Sequence, residues 1–194
     1  MPAARGRPRD TSVDRRVLDA ALELLGRDGY SRMSIERVAA AAGVTRPTVY
    51  RRWPTKAALA TDALAALAAT EHRPDTGSAR DDLVGLLRAF RRSLLRPNGM
   101  ATLGTVLAEE AHTPELVAHF RERLVAPRRT AIRTVLARGV ERGEIDRAAD
   151  LDTAINAIVG SFYARYLANG TIPRDWPERI VAFVWPSLTP GRAR

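Results

Sequence analysis

The sequence predicts an all-α protein, and three observations favour this fold class. Apolar residues recur at three- and four-residue intervals through most of the 194 residues, which is the period of an amphipathic helix. Alternating β-branched residues, which are typical of strands, are scarce. Proline, glycine and short polar clusters interrupt the pattern where helices would end. We expect nine helices, at 13–27, 34–42, 45–52, 55–72, 78–96, 99–111, 114–142, 148–169 and 174–186.

After the first helix, two short helices joined by a tight turn are predicted. Ser34 can cap the first of this pair, whose apolar side chains share one face. Gly43 lies where that helix must end, a position that favours a residue able to adopt positive φ. Thr45 can cap the second helix, and Pro47 falls in its first turn, where a missing N–H costs little. The pattern is that of a helix-turn-helix.

The outer face of the second helix in this pair is polar and basic. In a helix-turn-helix, the N-terminal half of the second helix enters the major groove of DNA. Arg46 and Thr48 are therefore the predicted base readers, because arginine can bond guanine and a threonine methyl can contact thymine. Phosphate contacts set register, and we expect them from residues at and beyond the end of this helix. The predicted DNA-binding residues of this segment are Ser34, Thr45, Arg46, Pro47, Thr48, Tyr50, Arg51, Arg52, Thr55 and Lys56.

Basic residues concentrate near the N-terminus. The chain carries 31 Lys and Arg against 22 Asp and Glu, and residues 1–56 hold 12 of the basic and 6 of the acidic side chains. Two thirds of the net charge of +9 thus lies in this segment. A basic end on a nearly balanced body indicates a head that binds a polyanion.

The first residues add a basic arm. Arg5, Arg7 and Arg9 stand in an Arg-Gly-Arg-Pro-Arg run that has too few apolar residues to fold alone. The run resembles the core of an AT-hook, which lies along narrow, electronegative minor grooves that attract arginine. A solvated tail is the alternative, and the sequence leaves both open.

Residues 44–56, VTRPTVYRRWPTK, resemble the recognition element of the TetR family of bacterial transcription regulators, and residues 20–39 resemble that family's first helix and following loop. Residues 74–90 and 114–145 resemble, more loosely, the C-terminal domains of such proteins. The resemblance implies a TetR-like nine-helix architecture, with a three-helix head joined by a connecting helix to a helical-bundle body.

The predicted domains follow from this architecture. We expect a disordered basic arm at 1–12, a helix-turn-helix domain at 13–56, and an effector-binding and dimerisation domain at 73–194, with the fourth helix leading from the head into the body. The polar segment at 73–78, RPDTGS, is the clearest break in the helical pattern. Pro127 should kink or split the seventh helix.

The resemblance implies that the body binds a small apolar or amphipathic effector and forms a homodimer through its last two helices. Residues that could line the pocket are Phe90, Leu94, Met100, Leu103, Leu107, Glu110, Phe120, Phe162, Arg165 and Tyr166. The apolar arc of the eighth helix is too broad for one buried stripe, which indicates a second buried face. Residues that could form the dimer interface are Ile155, Val159, Tyr163, Trp176, Phe183 and Trp185. All of these side chains also fit a monomer core, and the pattern alone does not separate the two.

Several function classes are disfavoured. The absence of cysteine excludes disulfides, thiolate metal sites and cysteine nucleophiles. A single Glu-x-x-His pattern ends at His112, whereas di-iron bundles need two together with further glutamates. His72 and His119 likewise lie in no recognisable catalytic signature. We expect neither an enzyme nor a bound metal or cofactor.

The longest uncharged runs, such as 153–164, are shorter than the roughly eighteen residues that a membrane-spanning helix needs. We therefore expect a cytoplasmic protein without a membrane partner. The predicted function is that of a sequence-specific transcription regulator, a repressor that binds a palindromic operator in double-stranded DNA as a homodimer and is released by its effector. The alternatives are an architectural DNA-binding protein without an effector and a helical protein that binds a partner other than DNA.

Overall fold

The computed structural model describes residues 11–68, 75–97 and 99–189, and every regular element in these ranges is a helix. In chain order they are α1 (Thr11–Arg32), α2 (Ile35–Ala42), α3 (Arg46–Tyr50), α4 (Lys56–Ala68), α5 (Ala79–Leu94), α6 (Gly99–Ala108), α7 (Pro114–Phe120), a π-helical turn (Arg121–Val125), α8 (Ala126–Glu141), α9 (Leu151–Asn169) and α10 (Trp176–Leu188). The predicted all-α class is confirmed.

The seventh predicted helix is interrupted before Pro127. The segments α7, the π turn and α8 follow one another without a gap, so the described residues contain nine helices when this run is counted as one. The interruption is the π turn, and Pro127 follows it in the first turn of α8, where it has no N–H to donate to the preceding turn. No described helix is long and apolar enough to cross a bilayer.

Two compact units emerge from the contacts. The head unit comprises the described parts of 1–67 together with 97–123, and the body unit comprises those of 68–96 together with 124–194. The sequence places 97–123 in the body, whereas in the structure α6 packs against α1. The contacts therefore divide the chain differently from the predicted domains.

The head unit is built on α1. Its buried side chains include Val17, Ala21 and Leu25, which recur at helical spacing and pack with α2. Arg37 of α2 donates from Nη2 to Oδ2 of Asp28 at 2.5 Å. The neighbouring Arg27, and after it Arg37, lower the pKa of Asp28 to about 2. Asp28 is therefore charged at neutral pH and ties α2 to α1.

The body unit packs α5 against α8 and α10, and α9 against α8 and α10. Its centre holds an aromatic cluster of Phe90, Phe162, Tyr163 and Trp176, whose ring centroids lie 5.2–6.4 Å apart in the recorded pairs. Buried Asp82 is satisfied locally, because its Oδ1 accepts from the backbone N–H and the hydroxyl of one threonine, Thr76, at 2.9 and 2.7 Å.

One glycine of the body unit marks a close approach between elements. A Cβ placed on Gly139 of α8 would lie 2.8 Å from Cβ of Ala79 and 2.8 Å from Cδ1 of Ile145. We expect Gly139→Ala to lower the free energy of unfolding by about 1–3 kcal/mol, because the added methyl overpacks this contact. Urea denaturation measures the change. Gly104→Ala is the matched control, since a Cβ there would contact nothing within 4 Å and the substitution should be neutral or stabilising.

Candidate nucleic-acid interface

The turn between α2 and α3 has the predicted geometry. Oγ of Ser34 accepts from the backbone N–H of Arg37 at 3.3 Å, which caps α2. Gly43 adopts a left-handed conformation with φ 64° and ψ 41°, where a side chain would be strained. Thr45 differs from the prediction, because its hydroxyl lies 2.9 Å from the hydroxyl of Thr48 and makes no capping hydrogen bond. Both threonine hydroxyls are thus paired with each other at the start of α3.

The outer face of α3 is exposed while its inner face is buried. Val49 is completely buried and anchors the helix, whereas the side chain of Arg46 is 62% exposed. Pro47 and Arg51 are exposed, and Tyr50 is 46% exposed. The structure therefore presents a short polar surface that combines a cation, an aromatic hydroxyl and a second cation.

Glu36 of α2 organises this surface. Its Oε1 lies 3.1 Å from Nη2 of Arg46. The pKa of Glu36 is lowered by its own backbone N–H first, then by the hydroxyl of Ser34, and further by Arg46 and Tyr50. A charged Glu36 holds the guanidinium of Arg46 over the start of α3, where a base reader would be needed.

Two predicted phosphate-binding residues have a different role in the structure. Arg52 forms an ion pair with Asp14 of α1, donates to the carbonyl oxygen of Thr48 at 3.2 Å, and has a side chain only 11% exposed. Lys56 donates to the carbonyl oxygen of Tyr30 at 2.9 Å, and its ammonium lies 4.1 Å from the centroid of the Tyr30 ring. Burial lowers the pKa of Lys56. Both side chains thus hold the hairpin formed by α2 and α3 to α1, and their contact with phosphate stays a prediction.

The start of α4 keeps its predicted cap. Oγ1 of Thr55 accepts from the backbone N–H of Ala58 at 3.0 Å. The remaining predicted DNA contacts, Arg5, Arg7 and Arg9, lie outside the described residues.

The sequence did not predict the contacts of three carboxylates that support this interface, namely Asp14, Glu36 and Asp62. Asp62 of α4 accepts at 3.0 Å from the indole N–H of Trp53, which stands three positions after the end of the recognition helix α3. These partners are separated by 9 to 38 positions along the chain, so no helical periodicity relates them. The helix-turn-helix pattern predicts the exposed face of α3 but not the side chains that hold this helix in place.

The predicted effector-binding residues are dispersed. Phe90, Leu94 and Phe162 are buried in the body unit, and the rings of Phe90 and Phe162 meet edge to face at 5.3 Å. Phe120 is buried in the head unit, while Met100, Leu103 and Tyr166 are half-buried and Leu107 is exposed. The two polar candidates lie at surfaces, since Glu110 pairs with Arg121 at 2.6 Å and Arg165 lines an external groove.

The predicted dimer residues separate into core and surface. Ile155 and Trp176 are buried within the body unit, because the Trp176 ring packs 5.2 Å from that of Phe162 and its indole N–H donates to Oγ of Ser161 at 3.1 Å. In a single chain these two side chains therefore belong to the core, and their part in an interface stays a prediction. Val159, Tyr163 and Trp185 are half-buried, whereas Phe183 is 80% exposed.

Phe183 stands on an apolar face formed by α9 and α10, which we call the α9–α10 face. Its exposed members include Leu167, which is 84% exposed, and small residues on α9 such as Ala157, Gly160 and Ala164. Beside it lies a groove of about 280 Å³, lined by Ser161, Arg165, Pro173, Trp176, Arg179, Ile180 and Phe183. Large exposed apolar side chains next to small ones are typical of a surface that packs against another helix.

Among the described residues, no group of three His, Asp or Glu side chains is arranged to hold a metal ion. The exposed face of α3 combines hydrogen-bond donors and cations. The arrangement suits the recognition of a polyanion with hydrogen-bonding edges.

Two family models match the chain. The model described as "Bacterial regulatory proteins, tetR family" matches residues 17–63, and "Tetracyclin repressor-like, C-terminal domain" matches residues 73–184. The uncharacterized HTH-type transcriptional regulator YdeS of Bacillus subtilis is 30% identical over 176 residues, which are 90% of this chain and 88% of YdeS. The DNA-binding transcriptional repressor TetR of Mycobacteroides abscessus is 35% identical over 157 residues, which are 78% and 80% of the two chains. The TetR family transcription regulator SCO0332 is 30% identical in sequence to this chain. Its crystal structure matches this structure with a TM-score of 0.72, over 92% of this chain and 100% of that chain.

Proposed function

Because the chain belongs to the TetR family and is a DNA-binding transcription regulator, we propose that it acts as a homodimeric repressor in the cytoplasm. A small apolar or amphipathic effector releases this repressor from a palindromic operator. The observation that carries the proposal is the exposed outer face of α3, braced by α2. The proposed base readers on this face are Arg46 and Thr48, and the proposed phosphate contacts are Tyr50 and Arg51 together with the N-terminus of α4 at Thr55.

The proposed dimer uses the α9–α10 face. An exposed phenylalanine and leucine next to small residues can exclude water when a second copy of the same face covers them. A two-fold axis would give two copies of α3, which must be about 34–36 Å apart to enter successive major grooves. A palindromic operator follows from that symmetry.

The proposed effector site lies against the aromatic cluster of the body unit. Phe90, Phe162 and Tyr163 supply edge-to-face apolar surface, which favours an apolar or aromatic ligand. Burial raises the pKa of Tyr163 further above its ordinary value. Its neutral hydroxyl can donate a hydrogen bond to a polar group of such a ligand. The repressor role is supported by the similarity to the DNA-binding transcriptional repressor TetR of Mycobacteroides abscessus.

Neighbouring arginines at the end of α3 should differ in what they affect. Arg52→Ala is expected to lower the stability of the head by about 1–3 kcal/mol, because it removes an ion pair with Asp14 whose two side chains are mostly buried. Arg51→Ala should leave stability unchanged and weaken binding to all DNA sequences alike, with a salt dependence reduced by about one counterion. Thermal denaturation and fluorescence anisotropy at several salt concentrations distinguish the two. Equal effects of both substitutions on affinity and on stability would contradict the assignment.

The release step can be tested with a duplex that the full chain selects from a random pool. A panel of aromatic and fatty-acid-like compounds is screened for an increase in melting temperature, and each compound that stabilises the protein is added to the protein–duplex complex. Release should weaken duplex binding, and by linkage the duplex must weaken compound binding by the same factor. A compound that stabilises the protein and leaves duplex affinity unchanged would speak against ligand release through this body.

A further inference from the structure

A carboxylate on α4 joins the end of the recognition helix to the π turn. Trp53 stands three positions after the end of α3 at Tyr50, its backbone N–H donates to the carbonyl oxygen of Val49 at 2.9 Å, and its side chain is buried. Oδ2 of Asp62 accepts from the indole N–H of Trp53 at 3.0 Å, and Oδ1 accepts from Nη1 of Arg123. One carboxylate therefore has an oxygen for each of two distant segments.

Arg123, the second partner of Asp62, lies in the π turn between α7 and α8, at Arg121–Val125. Such π turns are rare and frequently occur at functional positions. A change of register in this turn would move the guanidinium of Arg123 relative to Asp62.

The orientation of α3 depends on what holds its two ends, because this helix has only five residues. Val49 anchors its inner face, and Trp53 anchors its C-terminal end through Asp62. Without Arg123, the Asp62 carboxylate loses a charge-assisted partner, and its rotamer is no longer restricted to the one that accepts from the indole.

We propose that Asp62 is a positioning residue for the recognition helix and that Arg123 of the π turn sets its position, so that DNA affinity depends on the Trp53–Asp62–Arg123 chain of hydrogen bonds. None of these three side chains needs to contact DNA in this role. The inference rests on the DNA-binding role of α3 and adds to it a connection with the π turn.

The π turn supplies its own matched control. Arg121 is an arginine of the same turn with similar exposure, and it pairs with Glu110 at the end of α6 rather than with Asp62. For the duplex selected by the full chain, Arg123→Ala should weaken binding about three- to fivefold, as expected for loss of a partly exposed ion pair. Arg123→Lys should restore most of the affinity, and Arg121→Ala should leave it unchanged.

Asp62→Asn keeps an acceptor for the indole but removes the charge that Arg123 recognises. It should cause the same loss as Arg123→Ala, and the double variant should show no further loss, because the two substitutions break one interaction. Additive losses, or an Arg123→Ala variant that binds like Arg121→Ala, would overturn the inference.

A spectroscopic measurement without DNA completes the test. The chain has three tryptophans, at 53, 176 and 185, so 5-fluorotryptophan labelling gives three fluorine resonances that single Trp→Phe variants assign. Arg123→Ala should shift the Trp53 resonance and leave the other two in place, whereas Arg121→Ala should shift none. A Trp53 resonance that does not move in Arg123→Ala overturns the inference, whether or not the full chain selects a duplex. If the resonance moves but the full chain selects no duplex, the result counts against the proposed function and not against the inference.

Discussion

Replacement of Arg46 by alanine is expected to weaken binding to the selected operator by about tenfold or more and to relax the sequence preference at one position in each half-site. A bidentate contact from arginine to guanine contributes about 1–3 kcal/mol of discrimination, and Arg46 is the exposed cation at the start of α3. The melting temperature of the Arg46→Ala variant should not change, because the ion pair that Arg46 forms with Glu36 lies at the surface. Anisotropy titrations against the operator and against duplexes substituted at each position measure both effects.

Arg147→Ala is the matched control for this substitution. Arg147 is exposed in the segment between α8 and α9, so its removal changes the net charge equally without altering α3. Equal losses for the two variants would assign the effect to overall charge. A loss for Arg46→Ala that is uniform across all duplexes would make Arg46 a phosphate contact and would contradict its role as a base reader.

Phe183→Glu is expected to weaken the dimer by at least about a hundredfold. Full burial of a phenylalanine side chain contributes about 1.5–3 kcal/mol, and a symmetric interface contains Phe183 twice. The substitution also places two carboxylates where each must lose water, which opposes association further. Sedimentation equilibrium measures the dissociation constant, and operator affinity should fall with it, because two separate heads no longer bind as one unit.

Two variants accompany Phe183→Glu. Phe183→Leu keeps an apolar side chain and should retain most of the dimer, whereas Thr130→Glu places the same charge on an exposed position of α8 and should have no effect. A dimer that survives Phe183→Glu unchanged would exclude the α9–α10 face as the interface.

The local features of the hairpin formed by α2 and α3 follow from the sequence, because each depends on residues close together in the chain. Ser34 caps α2 and Gly43 ends it in the left-handed region, as the pattern predicts. The outward direction of Arg46 likewise follows from its position on the helix relative to Val49.

The roles of Arg52 and Lys56 could not be predicted in the same way. Helical position places both near the surface, but each side chain is long enough to reach α1, where Asp14 and the carbonyl oxygen of Tyr30 meet it. Whether an arginine contacts DNA or a carboxylate of its own chain is decided by tertiary packing.

A similar limit applies to the last two helices. An apolar arc broader than one stripe predicts two buried faces on α9, yet the pattern does not say which aromatic residue lies on which face. In the structure Trp176 turns inward because Phe90 and Phe162 surround it, while Phe183 stays exposed. The π turn also escaped prediction, because Pro127 is the visible breaker and lies just after it.

The most direct test of sequence-specific regulation is in vitro selection of duplex DNA by the full chain from a random pool, followed by footprinting of the enriched sequence. We expect one enriched motif made of two inverted half-sites, with centres about 10–10.5 base pairs apart or a multiple of that distance, and protection confined to the motif. Enrichment of no sequence, together with uniform coating of every duplex at low salt, would contradict sequence-specific regulation and favour an architectural DNA-binding protein.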